Sequence, residues 1–318
     1  MKRLILIDGN SLFHRAYHAL PISLTFEGKP VNAVYGFSNM LLKAIGDLKP
    51  THIAIAWDSI APTFRHVEYE EYKAQRAAPP EDLYPQKVVL EKVLEAFEIP
   101  SFELAGFEAD DLIATLATQA RELVKEKKLD KIMILTGDRD TLQLVSKDIN
   151  IYSSGQKLTE PIVFDKKKIK EKYGLKPSQM VDFKALAGDP SDNIPGVRGL
   201  GPKTAADLLA KYGNLERIYQ NLKKLSQALQ GKLSQDREKA FQARKLVELD
   251  RQVPIILDLK NSQAKFDWQK VQAAFAHLHF KSLIARLPIE SKDLENLEEK
   301  EPVNVLKDKK SKDQMELV

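Results

Sequence analysis

The sequence predicts an α/β fold: a mainly parallel sheet with flanking helices, followed by a smaller helical region. Three short aliphatic or β-branched runs, at residues 4–7, 52–57 and 132–135, carry the prediction. Amphipathic stretches around 33–47 and 110–127 lie between them. Buried strands that alternate with helices are the signature of a parallel sheet. Each run ends at or near an acid: Asp8, Asp58, and Asp138 with Asp140. Ligand sites in such sheets lie beyond the carboxyl ends of the strands, so three strands are expected to deliver carboxylates to one edge. After about Lys176 the pattern changes to helical segments around 177–187, 203–211 and 235–250, separated by Gly/Pro turns. The expected division is an α/β domain over 1–176, a helical region over 177–287, and a flexible charged tail or linker over 288–318.

Composition sets limits on the chemistry. No apolar run approaches the ~18 residues of a membrane span. The apolar start, residues 4–7, is too short for a signal peptide and is interrupted by Asp8, so it reads as a first strand. With no cysteine, disulfides and thiolate metal sites are excluded, as fits a reducing cytoplasm. The net charge of +4 is a weak hint of a polyanionic partner. From Ile289 onward acids outnumber lysines nine to six, so the remainder is more basic than the whole.

A second acidic group lies in Glu108-Ala109-Asp110-Asp111, at a predicted helix start. One or two acids there serve the helix dipole, worth ~0.3–1 kcal/mol each; three in four positions exceed what capping needs. Gly137-Asp138-Arg139-Asp140 and Gly188-Asp189-Pro190-Ser191-Asp192 read individually as surface turns. If the groups converge, two unit charges ~4 Å apart repel by ~4 kcal/mol at an effective dielectric of about 20, and such a cluster needs cations. Oxygen ligands select hard ions, Mg²⁺ or Mn²⁺, over Zn²⁺. Two such ions ~3.5–4 Å apart suit phosphoryl displacement.

Two further segments suit a phosphate backbone. Residues 193–205 carry Gly199-Leu200-Gly201-Pro202-Lys203-Thr204, a Gly-x-Gly turn into a helix, where backbone N–H groups can approach phosphate. Pro202 rules out a Walker loop, and Thr204 rules out a dinucleotide fingerprint. The alternatives are a plain helix entry or a helix–hairpin–helix that grips duplex without reading sequence. Residues 63–76, just after Asp58, mix Arg65, Tyr72, Lys73 and Arg76 with several glutamates. That is either a solvated helix or a segment that neutralises phosphate and stacks on unpaired bases.

Taken in order, Ile7-Asp8-Gly9-Asn10-Ser11 with Arg15-Ala16-Tyr17-His18, Trp57-Asp58, Tyr72-Lys73-x-x-Arg76, Glu108-Ala109-Asp110-Asp111, Thr136-Gly137-Asp138-Arg139-Asp140 and Gly188-Asp189-x-x-Asp192-Asn193-Ile194-Pro195-Gly196-Val197 resemble the 5′→3′ exonuclease domain of bacterial DNA polymerase I, in the flap endonuclease family. The resemblance runs from Met1 to about Leu287. It implies a PIN-like α/β core with a helical arch and a helix–three-turn–helix DNA clamp. Asp8, Asp58, Glu108 and Asp110 would serve one metal ion. Asp110, Asp111, Asp138, Asp140, Asp189 and Asp192 would serve a second or hold water near it. Lys73 and Arg76 resemble arch bases that approach the scissile phosphate, Tyr72 a residue that stacks near the cut, and Arg15 a phosphate contact. Gly199, Gly201, Lys203 and Thr204 resemble the clamp, which in relatives also holds K⁺.

The implied enzyme is a 5′→3′ exonuclease or flap endonuclease using two Mg²⁺ ions, with Mn²⁺ as substitute. Its expected substrate is branched, nicked or 5′-flap DNA, RNA-primed ends included, and its product a 5′-phosphate. It is expected to act as a monomer in the bacterial cytoplasm, near the nucleoid, in replication and repair. The chain stops where polymerase I continues, so it reads as a freestanding enzyme or a fragment. The rivals are a PIN-type ribonuclease, which would lack the 193–205 hairpin, and a non-enzymatic DNA-binding scaffold, which would not need the full acidic set.

Overall fold

The computed structural model describes residues 1–154 and 161–289. The expected tail over 288–318 lies almost wholly outside the described residues. The central sheet has six strands: β1 (Arg3–Asp8), β4 (His52–Ala56), β5 (Ser101–Phe102), β6 (Lys131–Leu135), β7 (Ile149–Ser154) and β8 (Pro161–Phe164). Two-residue strands β2 (Thr25–Phe26) and β3 (Lys29–Pro30) form a separate small hairpin. The sheet order is β5-β4-β1-β6-β7-β8, parallel throughout except for β8.

Both faces of the sheet are covered, and the strands alternate accordingly. Leu4, Leu6, Ala54, Ala56, Ile132 and Ile134 point into one core. Ile5, Ile7, Ile53, Ile55, Met133 and Leu135 point into the other. Helix α5 (Ala109–Lys125) fills the first face. Helices α1 (Gly9–Ala19), α2 (Asn32–Leu48) and α4 (Leu83–Ala96) fill the second. Between β4 and α4 the chain crosses with one short helix, α3 (Phe64–Glu68), followed by turns through residue 76. The expected arch is therefore mostly turn rather than long helix.

After α6 (Lys166–Tyr173) come α7 (Met180–Ala187), α8 (Pro202–Tyr212), α9 (Leu215–Gln220), α10 (Gln227–Gln235) and α11 (Arg237–Val247). Apolar residues of α7 to α11 continue the α5 core without a break. Helices α12 (Trp268–His277) and α13 (Lys281–Ile284) do something else. Val271, Phe275, Phe280 and Leu283 return to the opposite face and pack in the core of α2 and α4. Ile53 N–H donates to the Ser262 carbonyl at 2.8 Å, stitching this return to β4. The 177–287 stretch, read from sequence as one helical region, thus contributes to both sides of the sheet.

Candidate metal and DNA site

Strand register explains why the acids meet. Asp8 is level with Ala56 of β4, and Ile7 with Leu135 of β6. Strands β4, β1 and β6 are neighbours and end flush, so Asp8, Asp58, Thr136 and Asp138 emerge at one edge. Asp8 caps α1: its Oδ1 accepts from the Ser11 N–H at 2.9 Å and its Oδ2 from Thr136 Oγ1 at 2.6 Å. Asp58 accepts from the Ala109 N–H at 2.7 Å, which docks the start of α5 onto the end of β4. That contact brings Glu108 and Asp110 to the same edge.

The electrostatics of this inner group are severe. Burial pushes the Asp8 carboxyl from its ordinary 3.8 up to about 7, with Asp58 and Asp138 adding to the rise against two hydrogen bonds. Burial also holds Asp110 well above the usual range, reinforced by Asp138, Asp8, Asp58 and Glu108. Asp138 is raised, again chiefly by burial. Asp110 Oδ1 is buried and has no hydrogen-bond partner among the described residues. A partnerless carboxylate oxygen among four other acids is costly to keep charged, and an all-oxygen donor set of this kind fits a hard divalent ion.

An outer group joins Asp140, just after β6, to two acids of the helical half. One oxygen from each of Asp140, Asp189 and Asp192 lies within 4.8 Å of the others. The loop holding Asp189 and Asp192 is set by close backbone contact. At Gly196, φ is +57°, and a Cβ there would sit 2.3 Å from the Gly188 nitrogen. Any side chain at Gly196 would break the Asp189–Ile194 bridge apart.

Three cationic side chains lie on the acids. Lys73 Nζ contacts Glu108 Oε1 at 2.7 Å, and Arg76 Nη2 contacts Asp192 Oδ1 at 2.6 Å. Lys184 of α7 bridges Asp140 and Asp189, the latter at 2.6 Å. Burial acts to raise Asp189, but the charge and hydrogen bond of Lys184, together with hydrogen bonds from Ser191, outweigh it and hold the carboxyl below its ordinary value. Sequence reading missed Lys184. The signal was its place one helical turn before Gly188-Asp189, on the helix that leads into the acidic loop.

Two expected site residues have other duties. Asp111 is completely buried, and both its oxygens are held by Arg65, at 2.7 and 2.8 Å. A carboxylate so engaged has no oxygen to offer the cluster. Tyr72, expected to stack on a base, is buried with its hydroxyl 3.1 Å from Glu108 Oε2. Burial, Glu108 and Asp192 raise its phenol far above the usual range, so it stays a neutral donor. Arg65, in the segment read from sequence as either a solvated helix or a phosphate-neutralising stretch, is also enclosed.

The hairpin leads into α8, whose Pro202 lines one cavity with Asp138, Lys184 and Asp189. Gly201 caps α8 with Pro202 at its first turn. Gly201 and Lys203 are exposed and Thr204 is half-buried. The Gly199 carbonyl accepts from Lys232 of α10 at 2.7 Å, and the Arg198 N–H donates to Asp236 at 2.9 Å, so the loop is pinned from behind. Arg15 lies half-buried on α1.

Comparison with known proteins assigns this geometry. Residues 3–174 match the 5′-3′ exonuclease N-terminal resolvase-like domain, and residues 175–271 match the 5′-3′ exonuclease C-terminal SAM fold. The chain belongs to the 5′-3′ exonuclease family. It is 41% identical over 289 residues to DNA polymerase I of Caldicellulosiruptor bescii, covering 90% of this chain and 33% of that protein. It is 37% identical over 306 residues to DNA polymerase I of Bacillus subtilis, covering 96% and 34%. The chain thus spans about a third of the length of these relatives. Among solved structures, a bacteriophage T5 flap endonuclease complex with DNA and metal ions has a TM-score of 0.61 at 20% identity, covering 94% of this chain and 100% of that one. The catalytic core of Rad2 with DNA has a TM-score of 0.54 at 18% identity, covering 91% and 92%. At those identities the likeness carries the fold. The family match makes the chain a hydrolytic nuclease, and the passive scaffold falls away. Among the described residues no helix is long and apolar enough to cross a membrane.

Proposed function

We propose that this 5′-3′ exonuclease acts on branched, nicked or 5′-flap DNA, RNA-primed ends included, with two Mg²⁺ ions that Mn²⁺ can replace. The observation that carries the reading is the orphaned Asp110 oxygen inside a convergent set of acids, with Lys73 beside it on Glu108. Asp8, Asp58, Glu108 and Asp110 would hold the inner ion, with Asp138 between the groups, and Asp140, Asp189 and Asp192 the outer one. When bound, such ions supply a water nucleophile and stabilise charge on the leaving oxygen.

The chain's own residues do the rest. Lys73 and Arg76 approach the same edge from the crossing segment and offer positive charge to a scissile phosphate. Thr136 and Ser11 fix the Asp8 carboxylate, and the Ala109 N–H fixes Asp58. Lys203, Thr204 and the N–H groups at the start of α8 hold duplex backbone, with Arg15 as a further phosphate contact. A K⁺ ion at the hairpin, a monomeric state and a place in the bacterial cytoplasm complete the reading.

The deciding experiment uses an end-labelled 5′ flap and a flap of RNA with the same shape, each with Mg²⁺ and with excess EDTA. Mg²⁺-dependent cuts at the DNA branch, leaving 5′-phosphate, are expected. Cleavage that survives EDTA overturns the metal assignment, and preference for RNA overturns the substrate.

The hairpin has its own test. A Cβ at Gly201 meets nothing within 4 Å and φ there is −77°, so Gly201→Val leaves the fold standing. In a complex that Cβ would hold phosphate off the α8 start. Duplex affinity is expected to fall about tenfold on any sequence, with the log–log salt slope shallower by roughly 0.9 per lost contact. Salt titration on two unrelated duplexes checks it. Parental affinity and slope would make the loop a helix entry only.

A further inference from the structure

Arg65 is the largest side chain enclosed to this degree among the described residues, with 1% of its surface exposed. A guanidinium has five N–H donors, and all five have acceptors. Nε donates to the Leu246 carbonyl at 2.7 Å. Nη1 donates to Asp111 Oδ2 at 2.7 Å and Glu108 Oε2 at 3.4 Å. Nη2 donates to Asp111 Oδ1 at 2.8 Å and the Glu248 carbonyl at 3.1 Å. Asp111 in turn accepts from the Glu108 N–H at 3.2 Å and the Asp250 N–H at 2.8 Å.

These contacts join three parts of the chain. Arg65 sits on α3, in the segment that carries Lys73 and Arg76 over the acids. Glu108 and Asp111 begin α5. Leu246 lies in the last turn of α11, and Glu248 and Asp250 follow it, in the helical half. One side chain therefore sets the crossing segment, an inner-site carboxylate and the helical half against each other.

We propose that Arg65, with Asp111, is a positioning residue for Glu108, holding its carboxylate in the orientation that binds a divalent ion. This rests on the reading that Glu108 is such a ligand. Asp111 holds the backbone of Glu108, Arg65 and the Tyr72 hydroxyl hold Oε2, and Oε1 is left facing the Lys73 side. Lysine could not do this, because three donors in a tetrahedral head cannot meet five acceptors around a planar fork. Groups that orient a metal ligand from behind typically change metal affinity or activity by 10–100-fold when removed.

Two variants test it. Arg65→Lys keeps the charge and loses the fork. Arg65→Met with Asp111→Leu removes the buried pair together, which keeps packing without an unpaired charge. Mn²⁺ binding is titrated by electron paramagnetic resonance in the absence of DNA, beside melting temperature, flap affinity in Ca²⁺ and single-turnover cleavage. Arg65→Lys is expected to melt lower, bind Mn²⁺ about tenfold more weakly and cut about 100-fold more slowly, with flap affinity within about twofold. The double variant is expected to recover melting temperature but neither Mn²⁺ affinity nor rate. If stability, Mn²⁺ affinity and cleavage all return together in the double variant, the pair only holds the fold and the proposal is overturned. It is equally overturned if Arg65→Lys binds Mn²⁺ like the parent. A parent that neither binds Mn²⁺ nor cuts would instead refute the proposed function.

Discussion

Asp110→Asn is expected to cut 5′ flaps at least ~10³-fold more slowly than the parent while melting at a higher temperature in EDTA. The two effects share a cause. Burial, with Asp138, Asp8, Asp58 and Glu108, holds the Asp110 pKa well above its ordinary value, and one of its oxygens has no partner among the described residues. Asparagine removes the charge and presents an amide that can donate to those neighbours, so the fold gains. Catalysis loses a carboxylate from the inner site, and charge stabilisation in a dry site is commonly worth 10²–10³ in rate per group, more where a metal ion goes with it.

The pH dependence follows from Asp8, whose carboxyl rises from 3.8 to about 7. The folded state binds that proton more tightly than the unfolded chain. The penalty is absent below 3.8 and complete above about 7, where it is on the order of 4 kcal/mol. Chelated parent protein should therefore melt higher as pH falls from 8 toward 6. Melting curves in EDTA at both pH values, with single-turnover rates in Mg²⁺, check the argument. A variant that cuts at the parental rate, or melts lower than the parent in EDTA, defeats it.

How far the sequence carried depended on what each residue's partner was. Strands β1, β4 and β6 were legible because each is a short apolar run ending in an acid, and their flush register turned three separate runs into one edge. Strands β7 and β8 were not read, since Ile149–Ser154 is half polar and β8 is an antiparallel edge four residues long. The inner carboxylates were legible as a set of residue types. Which of them lacked a partner was not, because that depends on neighbours far away in the chain. Asp110 and Asp111 are adjacent, yet one has an orphaned oxygen and the other is gripped by Arg65, 46 residues upstream. Helical periodicity puts them on different faces of α5, but only the crossing segment supplies the arginine. Tyr72 misled for the same reason: its aromatic ring suits a stacked base as well as it suits the pocket around Glu108, Ala185 and Ile194.

Lys73→Ala is expected to reduce single-turnover cleavage about 10²–10³-fold with flap affinity in Ca²⁺ changed by no more than a few-fold. Lys73 Nζ is 2.7 Å from Glu108 Oε1, on the side of that carboxylate which Arg65 and Tyr72 leave open. A phosphate drawn to this edge would meet the ammonium next to the inner site. A cation there contributes most where negative charge grows on the phosphate, and interactions strengthened in the transition state appear in the rate rather than in binding. The backbone makes alanine a clean probe. Lys73 has φ of +56°, and its N–H donates to the Asp192 carbonyl at 3.0 Å. Alanine tolerates that left-handed conformation about as poorly as lysine and keeps the N–H, so the turn is not newly strained, whereas glycine would loosen it. The rival is that Lys73 merely neutralises Glu108. In that case its loss would free Glu108, lower the Mg²⁺ concentration needed for half-maximal rate, and leave the saturated rate unchanged. Single-turnover rates across a Mg²⁺ titration, for the parent, Lys73→Ala and Lys73→Arg, separate the two. A rate that stays low at saturating Mg²⁺ and is partly restored by arginine supports the phosphate role. A saturated rate equal to the parent's, with weaker flap binding, would make Lys73 a docking contact.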